Sequence, residues 1–447
     1  MTGKGGWLRG NSLALAGALA VTLASSGSAP AAAAGRRPAA SVASLGAGQT
    51  GPRSAVPWRE VGPGWVLAEY WPGRYEWEAK PRAAAATLYL IDPAGGRYRL
   101  YRWPVTKNPP FLVDWSGDKS RALVSSSGPL EQVVLATGKI SRFRLPGEAQ
   151  VIAYTRPSGQ GLLGWRQVGS RTQLARYRLT GELAKVLISD TSTIAAVYSS
   201  KGSALAVGGP HGVLLVSNRG GVIRGLPVPG VRGGCAPSRW WNSRVILAWC
   251  RAASSSRSRL WLVPVSGARP SALTAQRGRR SPDPGDIGAW QVRGRLYLQA
   301  LAPSGIARIF RQPANGQVAA VTVPHTAGDN WILAARGPRL LLAAEQDPCD
   351  DSNTSLTWFN PVTRREQMLI RTPHALAGVL GAVPYGQPLA PIFFAVGCAG
   401  ASMKRAGKPG VDIADLRQTS SATRSAGDAC GPGGVGKRLR GGVPARH

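Results

Sequence analysis

Between Trp58 and Ile370 the chain repeats one pattern about seven times: an apolar run, a Gly/Ser/Pro turn, a second apolar run, another turn, then two more strand-like runs. Unit starts at Phe111, Val151, Ile194, Trp240, Ile287 and Trp331 lie roughly 40 to 47 residues apart, the length of one four-stranded propeller blade. The second unit reads F-L-V-D-W, R-A-L-V-S-S-S, E-Q-V-V-L-A and S-R-F-R-L, and the third and fourth keep its register. Helical periodicity is absent, so the predicted class is all-β. Short strands spaced by about 8 to 12 residues also suit a sandwich. A repeat at blade length, sustained over this span, predicts instead a β-propeller, most simply of seven blades of four antiparallel strands, with six or eight blades compatible with the same spacing. After Ile370, the runs A-L-A-G-V-L-G-A-V-P and A-P-I-F-F-A-V offer a strand pair to close the ring, because an open first or last sheet would leave unpaired edges.

The chain ends read differently. Lys4 and Arg9 flank a basic start, Leu13 to Leu23 is apolar, and small residues run from Ser25 to Ala34. That layout predicts an export signal over residues 1–34, cleaved near Ala34. Its apolar part is too short to span a bilayer. Residues 35–57, rich in Ala, Gly, Ser and Pro, are expected to be a flexible linker, residues 58–396 the propeller, and residues 397–447 a disordered basic Gly/Arg-rich tail. The expected destination is secreted or extracytoplasmic.

Five cysteines in an exported chain suggest disulfides. Cys235 and Cys250 flank two strand segments around Asn242-Ser243, which makes them the natural pair; Cys349 and Cys398 are a second candidate pair, leaving Cys430 odd. No CxxC occurs and His211, His325, His374 and His447 lack ligand spacing, so neither metal nor cofactor is expected. The formal charge of +33 is spread mostly singly along the chain, with clusters at Arg277-Gly278-Arg279-Arg280 and in the tail. It predicts attraction to anionic wall polymer or a membrane surface and, without a nucleic-acid motif, no specific nucleic acid.

Several units resemble the repeats of TolB-like propellers, relatives of the WD-repeat proteins. Trp115-Ser116-Gly117-Asp118-Lys119 followed by R-A-L-V-S-S matches the first half of that consensus, as does Ser199-Ser200-Lys201-Gly202-Ser203 followed by A-L-A-V-G-G. Leu260-Trp261-Leu262-Val263-Pro264 before S-G-A-R-P-S-A-L-T matches the second half, as does Leu214-Leu215-Val216-Ser217-Asn218 before R-G-G-V-I-R-G-L. The turn aspartate stands only at Asp118, with Ser158 and Lys201 in its place elsewhere, and the WD dipeptide is missing; Pro210-His211-Gly212 reads as a turn. The resemblance implies a binding platform of the cell envelope, an inference at the level of fold.

The residues do not spell out a reaction. No repeated carboxylate constellation occurs, although Asp114, Glu69 and Glu345 are placed where they could face a funnel, and there is no G-x-S-x-G. Glu345 to Asn353 crowds oxygen ligands into one loop without EF-hand spacing, and reads as a solvated loop. Trp65, Trp165, Trp249, Trp261 and Trp331 lie inside apolar runs and are expected in blade cores, while Trp71, Trp77, Trp240 and Trp241 sit near turns, where aromatic faces suit sugar or peptide. The expected function is therefore a non-catalytic scaffold for a protein, peptide or glycan, with Trp240, Trp241 and Asp114 as its candidate surface. The alternative is a propeller-type glycan hydrolase or lyase using funnel carboxylates.

Overall fold

A computed structural model describes residues 45–385, apart from 75–81, 126–128, 148, 190–194, 253–257, 276–284, 302–306, 313–317, 325–328, 346–353 and 372–378. All of them belong to the compact unit that starts at Ala43. The expected signal, Trp77, Cys349, Cys398, Cys430, the second closing run and the tail lie outside the described residues.

The strands fall into four-membered groups. The first group uses β1 (Thr50–Pro52), β2 (Val66–Tyr70), β3 (Ala84–Ile91) and β4 (Arg97–Thr106). Blade 2 is β5 (Phe111–Trp115), β6 (Arg121–Ser125), β7 (Leu130–Val134) and β8 (Ile140–Phe143); blade 3 is β9 (Gln150–Tyr154), β10 (Leu162–Val168), β11 (Arg171–Tyr177) and β12 (Leu183–Ser189). Blade 4 is β13 (Ala196–Tyr198), β14 (Ala204–Gly209), β15 (Gly212–Ser217) and β16 (Val222–Pro227); blade 5 is β17 (Val231–Asn242), β18 (Val245–Ala252), β19 (Ser258–Pro264) and β20 (Ser271–Ala272). Blade 6 is β21 (Gly285–Val292), β22 (Arg295–Leu301), β23 (Ala307–Gln312) and β24 (Ala319–Ala320); blade 7 is β25 (Asp329–Arg336), β26 (Arg339–Glu345), β27 (Thr354–Phe359) and β28 (Glu366–Ile370). The last strand, β29 (Val379–Pro384), pairs antiparallel with β2 and completes blade 1 in the order β29-β2-β3-β4.

Hydrogen bonding alone counts five sheets, because blades 4, 5 and 6 run together as one sheet of twelve strands. The joins are slight: Gly209↔Cys235 is the only registered pair between β14 and β17, and Ser258↔Gly285 the only one between β19 and β21. Packing restores the count of seven. The described residues form seven apolar clusters, one between each pair of neighbouring blades, from blades 1 and 2 around Leu67, Leu88 and Leu112 to blades 7 and 1 around Val66, Leu341 and Ala382. In β14, Ala206 joins the cluster shared with blade 5, while Leu205 and Val207 join the one shared with blade 3. The inner strands of each blade are buried on both faces while outer strands such as β16 are largely exposed, which is why the inner strands read as continuous apolar runs rather than alternating ones. Each fully buried leucine contributes about 1.5–3 kcal/mol.

First strands touch first strands around the ring: β29 with β5, β5 with β9, β13 with β17, β21 with β25, and β25 with β29. These are the innermost strands. Two sequence expectations need correction. Residues 45–57 are not a loose linker here: β1 lies parallel on β4, with Thr50↔Arg97 and Pro52↔Arg99 in register, and Val56 is buried in the cluster of blades 1 and 2. Backbone pairing holds this segment, so its composition gives no sign of it. The fifth unit starts at Val231 rather than at Trp240, because β17 is twelve residues long and carries register shifts.

Candidate functional site

Cys235 and Cys250 face each other across β17 and β18 and form a disulfide. The bond ties the innermost strand of blade 5 to its neighbour. Four residues further along β17 comes Arg239, with a register shift on each side of the Arg239-Trp240 segment. Such shifts re-aim side chains. Trp240 turns to blade 4, packing on the cluster around Val213 and Ile246 and donating its indole N–H to the Val197 carbonyl at 3.2 Å. Trp241 turns to blade 6 and packs on the cluster around Leu247 and Leu298.

Arg239 lies between two indoles. Its guanidinium carbon is 5.1 Å from the Trp241 ring centre and 5.2 Å from that of Trp290 on β21, the innermost strand of blade 6. Both are within cation–π range. Arg239 and Trp241 are half-buried, and Trp290 is buried. Its Nε is enclosed and accepted by nothing, and no carboxylate pairs with Arg239 among the described residues. Burial lowers its pKa to about 10. The indoles meet the guanidinium through their ring faces and accept none of its N–H groups. The arrangement is a cation held beside two aromatic rings without a paired carboxylate among the described residues.

The other residues singled out in the sequence do not gather there. Asp114, on β5, is completely buried between blades 2 and 3, where it accepts the Tyr154 amide at 2.7 Å and Arg156 Nη2 at 2.8 Å. It is a tie within the scaffold and presents nothing to a ligand. Trp240 and Trp241 do not share one aromatic face, since they serve opposite blade boundaries. Trp71 is fully buried with its N–H on the Ala84 carbonyl at 3.0 Å. Trp65, Trp165, Trp261 and Trp331 are buried as expected, with Trp249 packed at the edge of a cluster. Glu69, on β2, is also fully buried, and the side chain of Glu345 is outside the described set. His211 is an exposed turn residue. The residue that sequence reasoning missed is Arg239, whose only signal was its place in Arg239-Trp240-Trp241.

The turn resembling the TolB consensus is well defined in blade 2. Asp118 Oδ1 accepts from the Ser116 hydroxyl at 2.6 Å, the Ser120 amide at 3.0 Å and the Ser120 hydroxyl at 2.7 Å. Burial would raise its pKa, but these bonds outweigh it and hold the carboxyl below its ordinary value. Lys119 takes the left-handed position of this turn (φ 67°) that Gly159 and Gly202 take in blades 3 and 4.

No family model matches the chain, and no curated protein matches it. Solved structures do. TolB from Acinetobacter baumannii is similar at 13% identity over 72% of this chain and 66% of its own, with a TM-score of 0.38. A puromycin-hydrolyzing peptidase from Mycobacterium tuberculosis is similar at 14% identity over 75% of this chain and 57% of its own, with a TM-score of 0.45. An oligogalacturonate lyase in complex with manganese is similar at 14% identity, covering 62% of this chain and 86% of its own, with a TM-score of 0.40. The chain is a β-propeller whose structural neighbours include TolB proteins. The likeness is one of fold, and the chain spans under two thirds of the length of the first two.

Proposed function

We propose that the protein is a non-catalytic binding platform outside the cytoplasm, and that its ligand is a peptide, protein segment or glycan presenting an anionic group to Arg239. The observation that carries this reading is a largely desolvated guanidinium beside the rings of Trp241 and Trp290 on innermost strands, with no carboxylate paired to it among the described residues. A buried charge without a partner is costly. A fold that retains one gains from a ligand that supplies the missing charge. The Cys235–Cys250 disulfide supports an oxidising compartment. Glycan hydrolysis or elimination would need accessible, converging carboxylates, and Glu69 and Asp114 are both sealed inside the scaffold.

The test is a titration of intrinsic tryptophan fluorescence with two probe sets: short peptides with free or amidated C-termini, and glucuronate-containing or neutral oligosaccharides. At least one anionic member is expected to bind and its neutral counterpart to bind far more weakly. Arg239→Met is expected to weaken that binding about 10- to 100-fold, the worth of one charge-assisted hydrogen bond or two. Equal binding by the Arg239→Met variant, or turnover of a probe into smaller products, would overturn the reading.

A further inference from the structure

The outer strand of blade 1 differs from its six counterparts. β4 has 10 residues, whereas the outer strands of blades 2 to 7 have 4, 7, 6, 2, 2 and 5. It is also the one outer strand on which a further described segment pairs, and that segment pairs for only part of its length. β1 covers Arg97 to Arg99, the Arg97 amide donating to the Gln49 carbonyl at 2.9 Å. Beyond Pro52 the chain leaves in a short 3₁₀ turn, Arg53–Ala55. No described strand covers the outer side of β4 from Leu100 onward.

At that point there is a groove of about 520 Å³, lined by Thr50 to Arg53 on one wall and by Arg99 to Arg102 on the other. Its charge is of one sign. Arg99 and Arg102 are exposed, and neither forms an ion pair among the described residues. Arg53 is fixed across the groove by donating Nη1 to the Leu100 carbonyl at 3.0 Å. Tyr101 is held by edge-on packing on Trp103, with ring centres 5.0 Å apart. Val105, further along the same strand, is 64% exposed.

We infer that this groove takes an extended acidic peptide segment of a protein partner, which continues along β4 where β1 leaves off. Open strand edges recruit extended chains through main-chain hydrogen bonds, with side-chain pockets setting the choice. Here three arginines select acidic side chains, and Val105 offers an apolar contact at the far end. Arginine and proline on an edge also discourage indiscriminate pairing, and Pro104 ends the stretch that can pair. The usable length is therefore short, and charge complementarity rather than area would set the affinity.

A fluorescently labelled hexapeptide of alternating glutamate and valine, titrated into the full chain and followed by anisotropy, tests this. Saturable binding is expected, weakened about tenfold or more by Arg99→Glu with Arg102→Glu, both exposed positions, and weakened by salt. The same peptide with alternate backbone amides N-methylated keeps its charge but cannot add as a strand. It is expected to bind the wild-type chain at least tenfold more weakly. The Arg239→Met variant is expected to keep the component of hexapeptide binding that Arg99→Glu with Arg102→Glu removes, which separates this site from the one on the innermost strands. Equal binding of the N-methylated peptide overturns the proposal. So does equal binding of inorganic polyphosphate with the same dependence on Arg99 and Arg102, an unaffected double variant, or loss in Arg239→Met of the binding component that depends on Arg99 and Arg102.

Discussion

The boundary between blades 2 and 3 and the boundary between blades 5 and 6 each hold a half-buried arginine at the inner strands, and the two are treated in opposite ways. Arg156 follows β9 and donates to Asp114 at 2.8 Å, to the Trp115 carbonyl at 3.1 Å and to the Tyr154 carbonyl at 3.1 Å. Its own carbonyl accepts Asn218 Nδ2 at 3.2 Å. Burial opposes its charge, but Asp114 alongside prevails and holds its pKa above the ordinary value. Arg239 has indoles where Arg156 has a carboxylate, and its pKa falls to about 10. Leu247, Leu260, Ala289 and Leu298 are fully buried between blades 5 and 6, with Trp241, Trp249 and Phe310 among the partly buried residues packed on them. One boundary holds its arginine by an ion pair, whereas the other sets its arginine against aromatic rings with no paired carboxylate among the described residues.

The sharpest way to break this contrast is to remove one group from each side. Asp114→Ala leaves Arg156 half-buried and uncompensated, a loss of about 3–5 kcal/mol. Arg239→Met places a flexible apolar chain in the same aromatic slot and removes an unpaired charge, so stability is expected to stay within about 1 kcal/mol of wild type or to rise. Urea denaturation of the two variants side by side checks both. If Arg239→Met is destabilised as much as Asp114→Ala, Arg239 belongs to the scaffold and the contrast is wrong.

The disulfide sharpens the same comparison, because it lies in the blade that carries Arg239 and not in blades 2 or 3. Cys235 and Cys250 are 15 residues apart, and opening a loop of that size costs about 3 kcal/mol in the chain-entropy model. The Cys235→Ala, Cys250→Ala double variant is expected to unfold at lower urea by that amount. It is also expected to bind any anion recognised by Arg239 more weakly, while hexapeptide binding on β4 stays unchanged. An unchanged unfolding midpoint would show that the strand pairing of β17 and β18 already fixes this segment.

The propeller was legible because blade packing buries both faces of the inner strands, which forces apolar runs with turns at a fixed period. The pairing of Cys235 with Cys250 was legible because both ends of one hairpin fell within a single unit. What the residues could not reveal depends on the backbone. β1 is held by the pairing of Thr50, Gly51 and Pro52 with Arg97, Tyr98 and Arg99 on the edge of β4, and its residue types otherwise read as linker. The length of β17 hid the true start of blade 5. Arg239 was passed over beside Trp240 and Trp241 because which side each faces depends on the register shifts around it. Asp114 failed as a surface candidate for the converse reason: its partner Arg156 is 42 residues away in sequence, and a long-range ion pair leaves no local signature.

Glu69 extends the comparison to an acid. It is the counterpart of Arg239, a buried charge-bearing group without a counter-ion, yet it has no exposure at all and neither carboxyl oxygen has a hydrogen-bond partner among the described residues. Burial pushes its pKa well above the ordinary 4.5; the nearby Leu112 backbone, the next largest influence, works in the other direction, and Glu131 adds to the rise. Glu131 itself is occupied by Trp103 Nε1 and Arg142 Nε, each at 2.7 Å. The sign follows from proton binding: the folded chain holds the Glu69 proton more tightly than the unfolded chain, so stability falls as pH rises from the unfolded value toward the folded one. Glu69→Gln removes this dependence. The variant is expected to match wild type at pH 4, where the carboxyl is protonated in both states, and to become the more stable of the two as pH rises to 8. A stability difference that stays constant across that range would mean that Glu69 is ionised in the fold with a cation beside it, and that its likeness to Arg239 is false. If the difference grows as expected, exposure is what separates the two groups. A sealed unpaired charge titrates with unfolding, while a half-open one such as Arg239 is available to a ligand.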